Sequence, residues 1–228
     1  LSVATEKFDL QNVLLALERP FQIDPQQVKG QRIDDFLAEF SQESHIASIN
    51  RTQKGEGSVR FRFLRNAKEK DAAAMFRWEY QEPMVQEIIS DGRTMWFYVP
   101  ENRQVIESDM SQLSEQQGEN PVTFLSGLGN LTRDFSVAWA EPSSDADNNP
   151  VLSLRPKKKS QYIDRLEVVV ARQAVEDFIE KNNIGRVFPI LSTIVVDPGG
   201  NRTSLFFHNV EMNQGFSDEL FLFQRPEG

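Results

Sequence analysis

Residues 76–106 read FRWEYQEPMVQEIISDGRTMWFYVPENRQVI, and the alternation in this stretch decides the fold. Phe76, Trp78 and Tyr80 recur at every second position, the period of a β-strand, and Pro83 ends the run. Ile88 and Ile89 precede Asp91-Gly92, with Trp96 and Tyr98 beyond it and Pro100 closing the segment. An Asp-Gly pair between two apolar runs is a hairpin signal, because both residues tolerate positive φ. Each strand presents one apolar face. That face must cover the protein's own core or an apolar guest.

The strand rhythm extends outward from this block. Upstream, Val59, Phe61 and Phe63 alternate with Arg60 and Arg62, and the polar run over 65–74 reads as an extended loop. Residues 32–44, RIDDFLAEFSQES, are ambiguous by period. Ile33, Phe36, Leu37 and Phe40 fit a helical stripe, whereas Phe36, Ala38 and Phe40 fit one face of a strand. A helix is predicted over about 9–19, where Leu10, Val13, Leu14 and Leu17 share a face, Asp9 caps the start and Pro20 stops it.

Downstream, residues 120–135 break the period of two. Asn120 caps, Pro121 takes the first helical position, and Val122, Phe124, Leu125, Leu128 and Leu131 supply apolar surface around Gly127 and Gly129. Two short helices hinged at the glycines are predicted over about 120–135. After a turn-rich spacer at 145–149, strands resume in VLSLRP, around Leu166 to Val170, and in RVFPILSTIVV, SLFFHNVEM and ELFLF; DPGGN at 197–201 joins two of them. No repeat or domain boundary appears, so residues 1–228 read as one domain. Many short strands with few helices imply a mainly β protein, a single antiparallel barrel or a strongly curved sheet.

Composition narrows the function. A formal charge of −9 opposes nucleic acid or an anionic bilayer as the main partner. The absence of cysteine removes disulfides, thiol catalysis and thiolate metal sites. No apolar run approaches the roughly 20 residues of a membrane-spanning helix. The chain starts without a basic and then apolar leader, which reads as a cytosolic protein or a mature, processed one. Catalytic and nucleotide-binding motifs are missing, His45 and His208 lie in different segments, and Asp145 and Asp147 lack calcium-loop spacing. Lys157 to Lys159 read as a charged hairpin tip, or alternatively as a docking site for an acidic partner.

Large aromatic side chains on one face, opposite apolar glycine-hinged helices, fit a guest site with a movable cover. These residues resemble the periplasmic outer-membrane lipoprotein carrier family, LolA. The resemblance runs in order through most of the chain. It begins with Phe36-x-Ala38-x-Phe40-x-Gln42, which resolves the ambiguous segment as a strand. Phe76-Arg77-Trp78 with Pro83, SDG at 90–92, MWFYVP at 95–100 and Gln104-Val105 follow. Asn120-Pro121 through Leu128 resembles the family's lid. Leu154-x-Pro156, the Asp197 to Asn201 turn, Phe207-x-Asn209, Asn213 and Phe221-x-Phe223-x-x-Pro226-x-Gly228 complete the series.

The resemblance implies an unclosed antiparallel β-barrel of about eleven strands whose mouth is covered by short α-helices. It implies a non-enzymatic periplasmic chaperone in mature form, without metal or cofactor, acting as a monomer. Its cargo would be acylated lipoproteins, taken from an inner-membrane ABC-type lipoprotein release complex and passed to an outer-membrane acceptor. If the faces of successive strands match that of Phe76 and Trp78, the acyl-chain cavity is lined by Phe36, Phe40, Phe76, Trp78, Trp96 and Tyr98. The opposite register turns Trp96 and Tyr98 outward. The lid residues would be Val122, Phe124, Leu125, Leu128 and Leu131. The family's Arg-Pro pair before the Phe/Trp strand lacks its proline here, and Arg65 is the nearest arginine for the lid-latching role. The alternatives are a lipid- or lipoprotein-sensing module of the same fold and, from another class, a secreted lipid- or glycan-modifying enzyme.

Overall fold

The computed structural model describes residues 8–22, 32–64, 73–110, 124–181 and 186–225. Eleven antiparallel strands form one open sheet: β1 (Asp35–Ile46), β2 (Arg51–Leu64), β3 (Ala73–Glu82), β4 (Gln86–Ser90), β5 (Thr94–Val99), β6 (Gln104–Asp109), β7 (Phe135–Ser144), β8 (Pro150–Pro156), β9 (Arg165–Val170), β10 (Ile190–Val196) and β11 (Arg202–Met212). Their spatial order is β6-β5-β4-β3-β2-β1-β11-β10-β9-β8-β7. The chain meanders outward from β1 to β6, crosses to the far edge, and meanders back until β11 pairs with β1. The seam is long, running from Phe36 opposite Met212 to His45 opposite Arg202.

Among the described residues the helices are few and short. They are α1 (Leu10–Glu18), α2 (Leu131–Asp134) and α3 (Arg172–Lys181), with 3-10 segments at Arg19–Phe21 and Leu125–Asn130. Asp9 accepts the Asn12 backbone N–H at 2.7 Å and so starts α1. Pro20, which has no N–H to continue an α-helix, sits in the 3-10 turn that follows.

All of these elements cover one face of the sheet. Phe36, Phe40, Phe61, Phe76 and Trp78 from the first meander share a single core with Leu152, Leu166, Val168, Leu205 and Phe207 from the second. Val13, Leu17, Phe21, Leu125, Leu128, Leu131 and Val175 of the helical segments fill the same core. A sheet whose distant strands meet in one core must wrap around it, as the right-handed twist of adjacent strands allows.

The opposite, outer face is charged where it is bare. Arg77 bridges Glu79 at 3.1 Å and Glu87 at 2.6 Å, and Arg60 pairs with Glu79. Part of this face is covered by the C-terminal segment. The Asp35 carboxylate accepts backbone N–H groups from Gln214, Gly215 and Phe216, Arg62 pairs with Asp218, and Arg225 reaches Glu107 on β6.

Several sequence expectations change. ELFLF is not a strand: it forms a 3-10 turn, Asp218–Phe221, followed by extended chain that packs on the outer face, where Phe223 meets Trp96 and Tyr98. Residues 135–144 form β7 and residues 172–181 form α3, neither of which periodicity had indicated. In β7 only Phe135 and Ala140 are buried, so an exposed edge strand carries too little apolar alternation to announce itself.

Candidate functional site

The inner face is built row by row from cross-strand register. Phe36 opposes Phe61, which opposes Phe76, while Ala38, Val59 and Trp78 form the next row. The rings pack directly: Phe36 on Phe61 at 5.5 Å, Phe61 on Phe76 at 5.8 Å and Phe40 on Trp78 at 4.9 Å between centroids. Phe36, Phe40, Phe76 and Trp78 therefore lie together on one face, and each is 2% exposed or less.

Trp96 and Tyr98 do not belong to this face. Phe76 pairs with Ser90 and Ser90 with Met95, while Trp78 pairs with Ile88 and Ile88 with Phe97. Met95 and Phe97 thus continue the inner rows. Trp96 opposes Ile89, the neighbour of Arg77 on the outer face. It stacks on Phe223 at 5.8 Å and donates its indole N–H to Glu107 at 3.1 Å, and Tyr98 meets the same Phe223 at 5.7 Å. The cause is the turn. The Asp91 N–H bonds to the Thr94 carbonyl, leaving Gly92 and Arg93 as a two-residue loop, and Gly92 carries the required positive φ of 90°. An even-numbered loop pairs even positions with odd ones, so the inward side chains of β5 are the odd residues.

The cover is a compact set of apolar side chains held by few polar contacts. Phe124, Leu125, Leu128 and Leu131 are each 2% exposed or less and belong to the core over the inner face. Both glycines lie inside the 3-10 segment Leu125–Asn130 rather than at a hinge between two helices. Gly129 is needed for close approach, since a Cβ there would stand 2.9 Å from the Phe21 carbonyl oxygen. Gly127 faces open space. Val122 and Arg65, the other expected lid residues, lie outside the described residues.

One residue of the cover, Thr132, is gripped through both of its main-chain polar groups. Glu18, at the end of α1 and 5% exposed, accepts the Thr132 N–H at 3.2 Å. Lys157 donates its Nζ to the Thr132 carbonyl at 2.7 Å. Burial raises the Glu18 carboxyl above the usual carboxylate range, and the N–H groups of Thr132 and Leu131 pull it partly back. Of the three lysines at 157–159, the first is thus a tie to the cover rather than a free hairpin tip. Neither contact was legible in the sequence, because the partners are over a hundred positions apart in one case and offer only main-chain atoms in both.

Polar groups on the inner face cluster toward the β1–β2 turn. The Tyr80 hydroxyl, pushed up to about 12 by burial, donates to Gln42 at 2.9 Å. Among the described residues no group of three or more His, Asp or Glu side chains could hold a metal ion. His45 meets Thr52 and His208 meets Ser41.

An open antiparallel sheet whose apolar inner face is covered by short helical segments and adjoining loop residues such as Phe188 defines a half-barrel with a lid. The chain belongs to the outer membrane lipoprotein carrier protein LolA family, whose model matches residues 31–224. It is 27% identical over 197 residues to an outer-membrane lipoprotein carrier protein of Hahella chejuensis, covering 86% of this chain and 80% of that protein. It is also 27% identical over 198 residues to the carrier protein of Azotobacter vinelandii, covering 86% of this chain and 81% of that one. Among solved structures, a DUF1329 family protein from Desulfovibrio piger superposes with a TM-score of 0.50 at 15% identity, over 93% of this chain and 96% of that one.

Proposed function

We propose that this chain is a periplasmic lipoprotein carrier that shelters the acyl chains of its cargo between the inner face of the half-barrel and the lid. The observation that carries this reading is how the inner face is covered. Its cover is a handful of leucines and phenylalanines on short segments, which an acyl chain of similar chemistry can replace.

In this reading Phe36, Phe40, Phe76 and Trp78 form the wall, joined by Met95 and Phe97 in place of Trp96 and Tyr98. Val122, Phe124, Leu125, Leu128 and Leu131 form the lid, and Arg65 helps to latch it. The carrier acts as a monomer and without catalysis, as one domain over 1–228. It accepts lipoproteins from an inner-membrane ABC-type release complex and delivers them to an outer-membrane acceptor.

Energetics constrain the cycle. Each buried methylene contributes roughly 0.8 kcal/mol, so an anchor with about forty of them is held in a bilayer by tens of kcal/mol. Release from the membrane must be driven by the upstream complex. The carrier must then hold its guest moderately enough to give it up.

Native mass spectrometry of the chain co-expressed with a triacylated lipoprotein tests the reading. A one-to-one complex that dissolves on removal of the acyl groups is the expected result. Absence of association under conditions that open the lid would overturn it.

A further inference from the structure

Trp78 lies fully buried in the middle of the inner face, with Phe40 edge-on at 4.9 Å and Phe207 at 6.4 Å between centroids. Its indole Nε1–H has no hydrogen-bond partner. Buried donors are nearly always satisfied, and an unsatisfied one costs free energy. Its cross-strand neighbours are Val59 and Ile88 and its ring contacts are Phe40 and Phe207, none with a side-chain acceptor, and the chain uses phenylalanine 17 times against three tryptophans. Phenylalanine would fill apolar space here without stranding a donor.

The face changes character on the two sides of this N–H. Toward one end stand Phe36, Phe61, Phe63 and Phe76, all buried. Toward the β1–β2 turn a polar ladder begins. Tyr80 donates to Gln42 at 2.9 Å, Gln42 donates to Ser44 at 3.1 Å, and the Ser44 hydroxyl meets that of Thr203 at 3.3 Å. Gln42, Ser44 and Thr203 are half-buried, so the ladder leads from the core toward solvent.

This gradient matches a long acyl chain joined through an ester or amide to a polar backbone. Building on the carrier reading above, we propose that the Trp78 indole N–H donates a hydrogen bond to an acyl ester or amide carbonyl of the guest. The chain then lies toward Phe36 and Phe63, and the glyceryl or peptide end lies toward the Tyr80–Gln42–Ser44–Thr203 ladder. Trp78 sets how deep the anchor sits and which way it points. The bond forms only when the guest replaces lid side chains, so it favours the loaded state without stabilising the empty one.

The test compares two lipopeptides on the full chain: a diacylglyceryl-cysteine peptide with ester-linked chains and its ether-linked analogue, which lacks those carbonyls. Wild type is expected to bind the ester about three- to tenfold more tightly, the range of one neutral hydrogen bond. With ¹³C-labelled ester carbonyls, the infrared stretch of the bound guest should move to lower frequency. In Trp78→Phe the preference should fall to about one and the infrared shift should disappear. The wild-type comparison stands by itself if that variant does not fold. Equal affinity for ester and ether in wild type, or an unchanged preference in Trp78→Phe, overturns the assignment of Trp78 alone. Failure of both lipopeptides to bind wild type overturns the carrier reading and this inference with it.

Discussion

The Glu18 carboxylate accepts the backbone N–H of Thr132 at 3.2 Å and thereby ties the end of α1 to the lid. The Glu18 carboxyl also carries a pH-dependent contribution to stability that comes from its burial, while the N–H hydrogen bonds oppose it. Burial raises the Glu18 pKa above its ordinary 4.5, so the folded, closed state binds the proton more tightly than the unfolded chain does. The contribution is fully present below pH 4.5 and is lost as pH rises through the elevated folded value. Glu18→Gln, which cannot ionise, should flatten that dependence. Urea unfolding midpoints measured from pH 4 to pH 8 check it, and parallel curves for the two proteins would contradict the account.

The two glycines of the lid make opposite predictions. A Cβ at Gly129 meets the Phe21 carbonyl oxygen at 2.9 Å, so Gly129→Ala should push the lid off its seat and destabilise by about 1–3 kcal/mol. A Cβ at Gly127 meets nothing within 4 Å. Gly127→Ala should therefore stabilise by about 0.4–1 kcal/mol through the unfolded state. Amide hydrogen exchange over 124–134 should speed up in the first variant and slow in the second. A true hinge at Gly127 would reverse the second result.

The two faces of the aromatic block should separate by mutation. Phe76→Glu places a carboxylate in the closed apolar core and should abolish lipopeptide uptake along with a large loss of stability. Trp96→Ala removes a stacking contact with Phe223 and a hydrogen bond to Glu107, costing about 1–2 kcal/mol. Its lipopeptide affinity should equal that of wild type. Loss of binding in a folded Trp96→Ala protein would return that residue to the binding face.

Asp35, 3% exposed, gathers three backbone N–H groups of the C-terminal segment. Removing the acceptor strands those donors, so Asp35→Ala should cost about 2–3 kcal/mol. The segment carrying Phe223 should then detach from Trp96, visible as a red-shifted tryptophan emission. An unchanged denaturation midpoint would show that the C-terminal segment holds its place by other means.

Much of the architecture was legible because alternation reports burial directly. Phe36, Phe40, Phe76 and Trp78 keep to one parity within their strands, and that parity faces the core. The ambiguity between helix and strand at 32–44 was resolved only by resemblance, since Phe36 and Phe40 serve both periods. The outward turn of Trp96 was in principle legible too: any two-residue loop near Asp91-Gly92 exchanges even for odd positions. Aromatic bulk alone gave no such warning, because Trp96 and Tyr98 are covered from outside by the distant Phe223.

The sequence by itself determined most of the strands, though not β1, β7 or the turn at 218–221, and the apolar parity within them, because these follow from local spacing and side-chain chemistry. Tertiary structure decided which parity faced inward across a turn, which residue gripped the lid, and where the C-terminal aromatics went. Those outcomes depend on main-chain acceptors and donors at Thr132, Phe21 and Gln214, which are chemically identical at every position until the fold brings one particular partner to them.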